Sequence, residues 1–262
     1  MRDTIISKYD DRIAVYYTKN KISLPENYSS EVEKHWAQLK LQDEHFFRGD
    51  AYTITNIEIN ENKVNIFVSL TDYAHFLYTI HRKKFIVPDC RVIHTSVLIE
   101  TIDNKFAIGV MNTGTAAPNK LQLIGGGIDK NDIEGDVFDL HHNIKKEIFE
   151  ELGIDVADAR IVKSLNPYVL KSGGEDNFLS AIFKMELLIN EDELAQRLVH
   201  HNEVLILKGE NPEIKSLIFI DISKKAVEKL VNEDSRYRDR NLNGTLMAAT
   251  GIIPIEDYLI CI

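Results

Sequence analysis

The sequence predicts an α/β fold, with a small α+β domain at residues 1–91 in front of a larger α/β domain at residues 92–262. Alternating apolar positions and apolar positions at helical spacing are interleaved along the chain. This pattern indicates layers of helix and strand and disfavours a helical bundle or a sandwich of sheets. The length of 262 residues suits two domains, and a hydrophobic content of 44% supplies a buried core.

The front domain contains one predicted helix and one predicted hairpin. The stretch SSEVEKHWAQLKL (29–41) begins with serines that suit a helix N-cap and carries apolar residues at helical spacing. The stretch AYTITNIEINENKVNIFVSL (51–70) alternates, and its polar break NENK predicts a turn between two strands. Pro88 and Asp89 place the domain boundary close to residue 91.

The larger domain opens with HTSVLIETIDNKFAIGVMN (94–112), which predicts two strands joined through Asp103 and Asn104. After a glycine-rich loop, apolar residues spaced three and four apart predict a helix from Val137 to Leu152, with Gly153 at its C′ position. Four more strands are predicted, followed by two helices. The strands are ARIVKSL (159–165), FLSAIFKMEL (178–187), EVLILKG (203–209) and SLIFIDI (216–222), and the helices are SKKAVEKLVN (223–232) and NGTLMAATG (243–251).

Composition narrows the class of partner. Lysine and arginine number 31 against 41 acidic residues, a net charge of −10, which opposes a broad electrostatic grip on nucleic acid or an anionic membrane. A membrane-spanning helix would require an apolar run of about 18 residues, and the sequence contains none. The two cysteines, Cys90 and Cys261, match no zinc or redox spacing. These features predict a cytoplasmic protein whose ligand is a small molecule.

The stretch KKEIFEELGI (145–154) places Glu147, Glu150 and Glu151 within an arc of roughly 100° on one helix. Like charges at this spacing repel each other, so helix propensity does not account for the cluster. Two interpretations are open. The glutamates form a solvated acidic face, or they hold Mg²⁺, which binds a few carboxylates together with water and phosphate oxygens.

The segment GGGID…KEIFEELGI resembles the signature of the Nudix hydrolases. Nine consecutive positions, 146 to 154, align with it, and eight of them match, because Lys146 stands in place of an arginine. The resemblance implies an α/β/α sandwich around a mixed sheet. It also implies Mg²⁺ or Mn²⁺ held by Glu147, Glu150, Glu151 and the carbonyl of Gly125, and hydrolysis of a nucleoside diphosphate linked to another moiety, in which a metal-activated water attacks phosphorus.

The first half of the signature departs from the family pattern. Counting six residues on from Gly126 gives Asp132, and counting eight back from Lys146 gives Phe138, where the signature has a glutamate. The loop is therefore six residues longer. Because the glutamate and arginine of the family brace each other, we expect Lys146 to pair with an acid of the longer loop. The acids considered are Glu134, Asp136 and Asp139.

Further candidate residues lie outside the signature. Glu175 is the candidate general base, with Asp176, Glu210 and Glu213 as other loop acids. For substrate binding the candidates are Arg236, Tyr237 and Arg238, which form either a phosphate and base grip or an exposed charged loop, together with Lys146.

The front domain adds a hint about substrate. Gly49 and the stretch Leu70-Thr71-Asp72-Tyr73 are similar to the region that precedes the Nudix domain in the branch that splits UDP-glucose and UDP-galactose. The resemblance implies a UDP-sugar cleaved to UMP and sugar 1-phosphate. Three alternatives stay open. They are ADP-ribose as substrate, a sensor that binds a nucleotide metabolite without turnover, and a generic front domain that packs on the sheet, shapes the substrate cleft or forms a homodimer contact.

Overall fold

A computed structural model of the chain describes residues 4–10, 12–42, 47–60, 63–82, 86–113, 118–174, 177–236 and 240–257. Within these ranges there are six α-helices and twelve strands. The helices are α1 (Glu26–Gln42), α2 (Tyr73–Arg82), α3 (Leu140–Leu152), α4 (Glu191–Leu207), α5 (Lys224–Glu233) and α6 (Arg240–Ala249). The strands are β1 (Ile5–Lys8), β2 (Ile13–Lys21), β3 (Asp50–Asn60), β4 (Lys63–Asp72), β5 (Ile93–Glu100), β6 (Lys105–Met111), β7 (Leu121–Gln122), β8 (Ile133–Glu134), β9 (Val137–Phe138), β10 (Val162–Ser172), β11 (Leu179–Leu187) and β12 (Ile214–Asp221).

The larger sheet is mixed and has the order β1-β10-β11-β5-β6-β12, with β7 paired to β6. Strand β5 is parallel to β11 and antiparallel to β6. Its side chains alternate between two cores. Val97 and Ile99 pack in the core that includes Ile144 and Leu194 of α3 and α4, and other residues of the sheet pack in the core of α5 and α6. The predicted α/β class and the α/β/α sandwich are therefore confirmed.

The smaller sheet has the order β3-β4-β2-β9-β8. Strands β3 and β4 form the predicted antiparallel hairpin, from Asp50 opposite Asp72 to Asn60 opposite Lys63. The predicted helix is α1, and it packs against α2, which the sequence analysis did not predict. Their contact is a small core of Val32, Ala74 and Tyr78.

Each predicted domain contributes strands to the sheet of the other. Strand β1 pairs with β10 of the larger sheet, with Ile5 opposite Ser172. Strands β8 and β9, which lie in the glycine-rich loop region, belong to the smaller sheet. A boundary at residue 91 stays a prediction, and the two parts are interwoven by these strand exchanges.

The predicted start of one helix and one predicted strand were wrong. Helix α3 begins at Leu140, because the Asp139 side chain accepts a hydrogen bond from the backbone N–H of His142 and caps the helix there. Residues 203–207 of the predicted strand EVLILKG are the end of α4, which starts in a capping box of Asn190 and Glu193. The periodicity of a short apolar run does not distinguish a buried strand from a segment of a buried helix. Here the capped helix α4 continues through the run.

One of the two cysteines lies within the described residues. Cys90 is a free, buried cysteine, and Cys261 lies outside the described residues. None of the helices in the described ranges is both long enough and apolar enough to cross a bilayer.

Candidate metal centre

The glycine-rich loop lies directly against the first residues of β5. The backbone N–H of Thr95 donates to the carbonyl of Gly126 at 3.0 Å, and the N–H of Val97 donates to that of Ile124 at 2.8 Å. Gly125 has a φ of +141°, and a β-carbon there would lie 2.3 Å from the carbonyl oxygen of Thr95. Only glycine fits this position, so the loop can approach β5 closely.

Helix α3 is fixed at its C-terminal end by a second glycine. Gly153 adopts the left-handed conformation with a φ of +67°, as predicted, and its N–H donates to the carbonyl of Phe149. His201 of α4 lies alongside, with Nε2 2.8 Å from the carbonyl oxygen of Glu150. A β-carbon on Gly153 would meet the His201 ring at 2.5 Å. These contacts fix the rotation of the helix that carries the three glutamates.

Glu151 is the most deeply buried acid of the three, at 5% exposure. Its Oε2 accepts a hydrogen bond from the backbone N–H of Gly125 at 3.0 Å. Burial raises the pKa of Glu151 well above 4.5, and the nearby charge of Glu213 raises it further. In the described part of the chain, no cationic side chain lies within 4 Å of Glu151 to offset this charge.

Glu147 is partly buried against the same loop. A β-carbon on Gly126 would lie 2.5 Å from Glu147 Oε2, so the carboxylate occupies the space that the glycine leaves. Burial raises the pKa of Glu147 to about 7, an effect that Lys146 Nζ, 3.9 Å from Oε1, opposes and that Glu150 and Glu213 reinforce. Glu150 is exposed.

Glu213, one of the four loop acids considered as general base, comes close to this cluster. It lies just before β12 and is exposed, and its backbone carbonyl accepts a hydrogen bond from the N–H of Asn112 at 2.7 Å. Its charge raises the pKa of both Glu147 and Glu151. The sequence offered Glu213 only as one acid among several, because no spacing rule connects it with α3.

The donor set fits a hard divalent cation. Carboxylate oxygens are the ligands that Mg²⁺ and Mn²⁺ prefer, and Glu147 and Glu151 are both desolvated, with Lys146 near Glu147 alone. As placed, no three carboxylate, imidazole or thiol groups of the described residues surround one point. Glu151 is turned to the amide of Gly125 and Glu147 to Lys146, so binding of an ion requires these side chains to converge. The ligand set of Glu147, Glu150, Glu151 and Gly125 therefore stays a prediction.

The brace of the loop is an ion pair between Lys146 and two loop acids. Lys146 Nζ lies 2.7 Å from Asp129 and 3.1 Å from Asp132, whose side chain is fully buried. Asp132 also accepts a hydrogen bond from Asn143 Nδ2 at 2.9 Å. Hydrogen bonds to the two aspartates raise the pKa of Lys146, although burial alone would lower it.

The predicted partners of Lys146 were therefore wrong. Asp136 instead pairs with Lys19, and Asp139 caps α3, while Glu134 lies in β8. The reason is that the six extra residues, 133–138, come after Asp132 and fold into β8 and β9. Asp132 lies six residues after Gly126, at the position where the signature has its glutamate. The inserted residues place Glu134 and Asp136 in the hairpin of β8 and β9.

The structure describes Arg236 and Lys146 of the substrate-binding candidates, and both are paired with acids. Arg236 is held by its neighbour Asp234, with 2.6 Å between guanidinium and carboxylate, and Lys146 is occupied by its two aspartates. Glu175, Tyr237 and Arg238 lie outside the described residues. A cavity of about 380 Å³ beside α3, lined by residues that include His142, Lys145 and Phe149, contains none of the three glutamates, so we do not place the substrate there.

No protein-family model matches the sequence, and no curated protein matches it. Among solved structures, a Nudix hydrolase from Nitrosomonas europaea is 13% identical, with a TM-score of 0.35 over 61% of this chain and 87% of that one. The MutT protein from Methanosarcina mazei is 12% identical, with a TM-score of 0.38 over 63% and 96%. A bifunctional NMN adenylyltransferase/ADP ribose pyrophosphatase from Francisella tularensis is 12% identical, with a TM-score of 0.38 over 66% and 46%.

The structural neighbours are mostly Nudix proteins. This is the superfamily whose signature the sequence resembles.

The brace predicts a large difference between two lysine substitutions. Lys146→Ala leaves the buried Asp132 without a counter-charge, so we expect a loss of about 2 kcal/mol in the free energy of unfolding. Lys19→Ala is the matched control, because its pair with Asp136 is 66% and 56% exposed, and it should cost only about 0–1 kcal/mol. Urea denaturation measures both, and Lys146→Arg should retain most of the stability. Equal losses for Lys146→Ala and Lys19→Ala would show that the brace is not structural.

The buried acid predicts that a neutral side chain stabilises the metal-free protein. Because folding raises the pKa of Glu151 above 4.5, its ionisation costs stability as the pH rises through the raised value. At about pH 8, Glu151→Gln should therefore gain on the order of 1 kcal/mol, roughly 3 °C in Tm, and this gain should vanish below about pH 4.5. The same variant should lose most of the rise in Tm that Mg²⁺ or Mn²⁺ gives the wild type.

Thermal unfolding across pH, with and without metal, measures both effects. Glu228→Gln, an exposed glutamate of α5, is the matched control and should change neither quantity. A fall in the Tm of Glu151→Gln at about pH 8, combined with no response of the wild type to metal, would mean that the cluster is structural.

Proposed function

We propose that this chain is a Nudix-type, metal-dependent pyrophosphohydrolase that cleaves a nucleoside diphosphate linked to another moiety. The observation that carries the proposal is the placement of Glu147 and Glu151 against the glycine loop. Both are desolvated acids in the signature segment, Glu213 adds its charge to theirs, and burial raises the pKa of each. Such an arrangement is costly without a cation and favourable with one.

The metal ligands in this proposal are Glu147, Glu150, Glu151 and the carbonyl of Gly125. Mg²⁺ or Mn²⁺ bound there would supply Lewis-acid stabilisation of charge on the phosphoryl oxygens. The chain itself holds the ligands in place. Gly125 donates its N–H to Glu151, and the pair of Lys146 with Asp132 fixes the loop relative to α3.

We assign the general base to Glu213 in preference to Glu175. Glu213 is exposed, so its carboxylate is accessible to a water molecule, and its charge raises the pKa of Glu147 and Glu151. In this role it accepts a proton from the water that attacks phosphorus. Glu175, the candidate base of the sequence analysis, remains the alternative.

The substrate class in this proposal is a UDP-sugar. Support comes from the front domain, where the N–H of Tyr73 donates to the carbonyl of Gly49 at 2.9 Å, which joins the two parts of the resembling pattern. Tyr73 lies within electrostatic range of Glu213, and Phe76, one turn later on α2, stacks on Phe178 at 5.7 Å. In this proposal the start of α2, which carries Tyr73, contacts the nucleotide.

The assignment of the base predicts a loss of turnover on Glu213→Gln. Removal of a general base lowers kcat by about 10²–10⁴-fold, and we expect a loss in that range with KM changed far less. Glu210→Gln is the matched control, since Glu210 is an exposed acid three residues earlier in the same loop. Steady-state kinetics with UDP-glucose measures the effect. Full activity of Glu213→Gln would return the role to Glu175.

The proposed substrate class predicts distinct products. UDP-glucose should yield UMP and glucose 1-phosphate, whereas ADP-ribose would yield AMP and ribose 5-phosphate. We expect kcat/KM to favour UDP-glucose by at least about tenfold, because polar groups that pair with uracil are left unpaired by adenine. Tyr73→Ala should reduce this preference, since Tyr73 is part of the front-domain pattern and lies within electrostatic range of Glu213.

Chromatography of the products after incubation with Mg²⁺ or Mn²⁺ measures this preference. Equal or better turnover of ADP-ribose would overturn the UDP-sugar assignment. Binding of either nucleotide with no product would identify a sensor that does not catalyse hydrolysis.

A further inference from the structure

The six residues that lengthen the loop form a β-hairpin. Strands β8 and β9 pair with each other, with Ile133 opposite Phe138, and Gly135 turns between them with a φ of +66°. At the base of the hairpin, the N–H of Asp139 donates to the carbonyl of Asp132 at 2.7 Å. The β8–β9 hairpin (residues 133–138) therefore leaves the loop at the brace and returns to it at the cap of α3.

This hairpin is part of the front-domain sheet. Val137 pairs with Tyr16 of β2, and the N–H of Tyr17 donates to the carbonyl of Asp136 at 2.8 Å. The ion pair of Lys19 with Asp136 adds a surface contact. Backbone hydrogen bonds of this kind transmit position, because a shift of β2 displaces the hairpin with it.

A buried aromatic cluster fixes the same junction. The Phe138 ring is 2% exposed and lies edge-on to Tyr52 at 4.9 Å and to Tyr17 at 6.3 Å. Tyr17 and Tyr52 contact each other at 5.4 Å. Three interlocked rings have few alternative packings, so the hairpin has one position relative to β2 and β3.

The hairpin also adjoins the brace. The hydrogen bond from Asp139 to the carbonyl of Asp132 closes its base, and Asp132 is one of the two acids that hold Lys146. The side chain of Asn143 donates both to the Asp132 carboxylate at 2.9 Å and to the carbonyl of Gly127 at 3.0 Å. Hydrogen bonds at each end of the hairpin therefore link it to the front-domain sheet and to the glycine loop.

We propose that the front-domain sheet positions the metal-binding loop through the β8–β9 hairpin, with Tyr17, Tyr52 and Phe138 as positioning residues for the divalent cation. The inference rests on the proposed metal centre. It gives the front domain a second role, which is independent of which nucleotide the site accepts. Reciprocity requires that a bound cation stabilise the front-domain sheet in turn.

The first test measures affinity for Mn²⁺ alone, by titration calorimetry of the full chain. Phe138→Ala should weaken binding by about tenfold, as expected when a support of the ligand shell is removed, and Phe138→Leu, which keeps most of the apolar volume, should weaken it by about threefold or less. Phe106→Ala is the matched control. It removes an equally buried phenylalanine from the core of α5 and α6, and it should leave Mn²⁺ affinity within about twofold at a temperature where circular dichroism shows the protein folded.

The second test is hydrogen exchange of the amides in β2 and β4 with and without Mn²⁺. Wild type should gain protection there when Mn²⁺ binds, whereas Phe138→Leu should gain less and Phe106→Ala as much as wild type. Should Phe138→Ala fail to fold, Tyr52→Leu removes the same ring contact from the other side and replaces it in both tests.

The outcomes separate this inference from the proposed function. Wild type that binds no Mn²⁺ would overturn the metal centre and the inference with it. Wild type that binds Mn²⁺, with Phe138→Ala and Phe106→Ala equally affected or equally unaffected, would overturn the positioning role alone and leave the metal centre in place.

Discussion

The candidate site depends on the ion pair of Lys146 with Asp132. Asp132 is buried and would carry an uncompensated charge without the lysine, so loop and helix are stable together only in this arrangement. Asn143 adds a hydrogen bond to the same carboxylate and a second one to Gly127. The loop is thereby held at the distance from α3 that puts Gly125 and Gly126 against Glu151 and Glu147.

The acids themselves work against stability. Burial raises the pKa of Glu147 and Glu151, and the charges of neighbouring glutamates reinforce the effect. In the function proposed above, a bound divalent cation offsets this cost. The brace thus holds together a region in which the acids repel one another.

The two sheets are joined where the loop departs from the family pattern. The insertion of residues 133–138 does not disturb the brace, because it begins after Asp132 and closes on itself at Asp139. It adds two strands to the front-domain sheet, while β1 joins the front of the chain to the larger sheet. The additional loop length therefore forms a structural connection between the smaller sheet and the candidate metal centre.

Sequence alone determined the features that depend on neighbouring residues. The phase of the glutamates on α3, the left-handed Gly153 and the β3–β4 hairpin follow from spacing, from the conformational freedom of glycine and from alternation. The partners of Lys146, the approach of Glu213 and the helical form of residues 203–207 were decided by tertiary structure. Each of these depends on groups that are distant in sequence or on a cap more than ten residues away, and a local pattern carries no information about which distant group will be buried beside it.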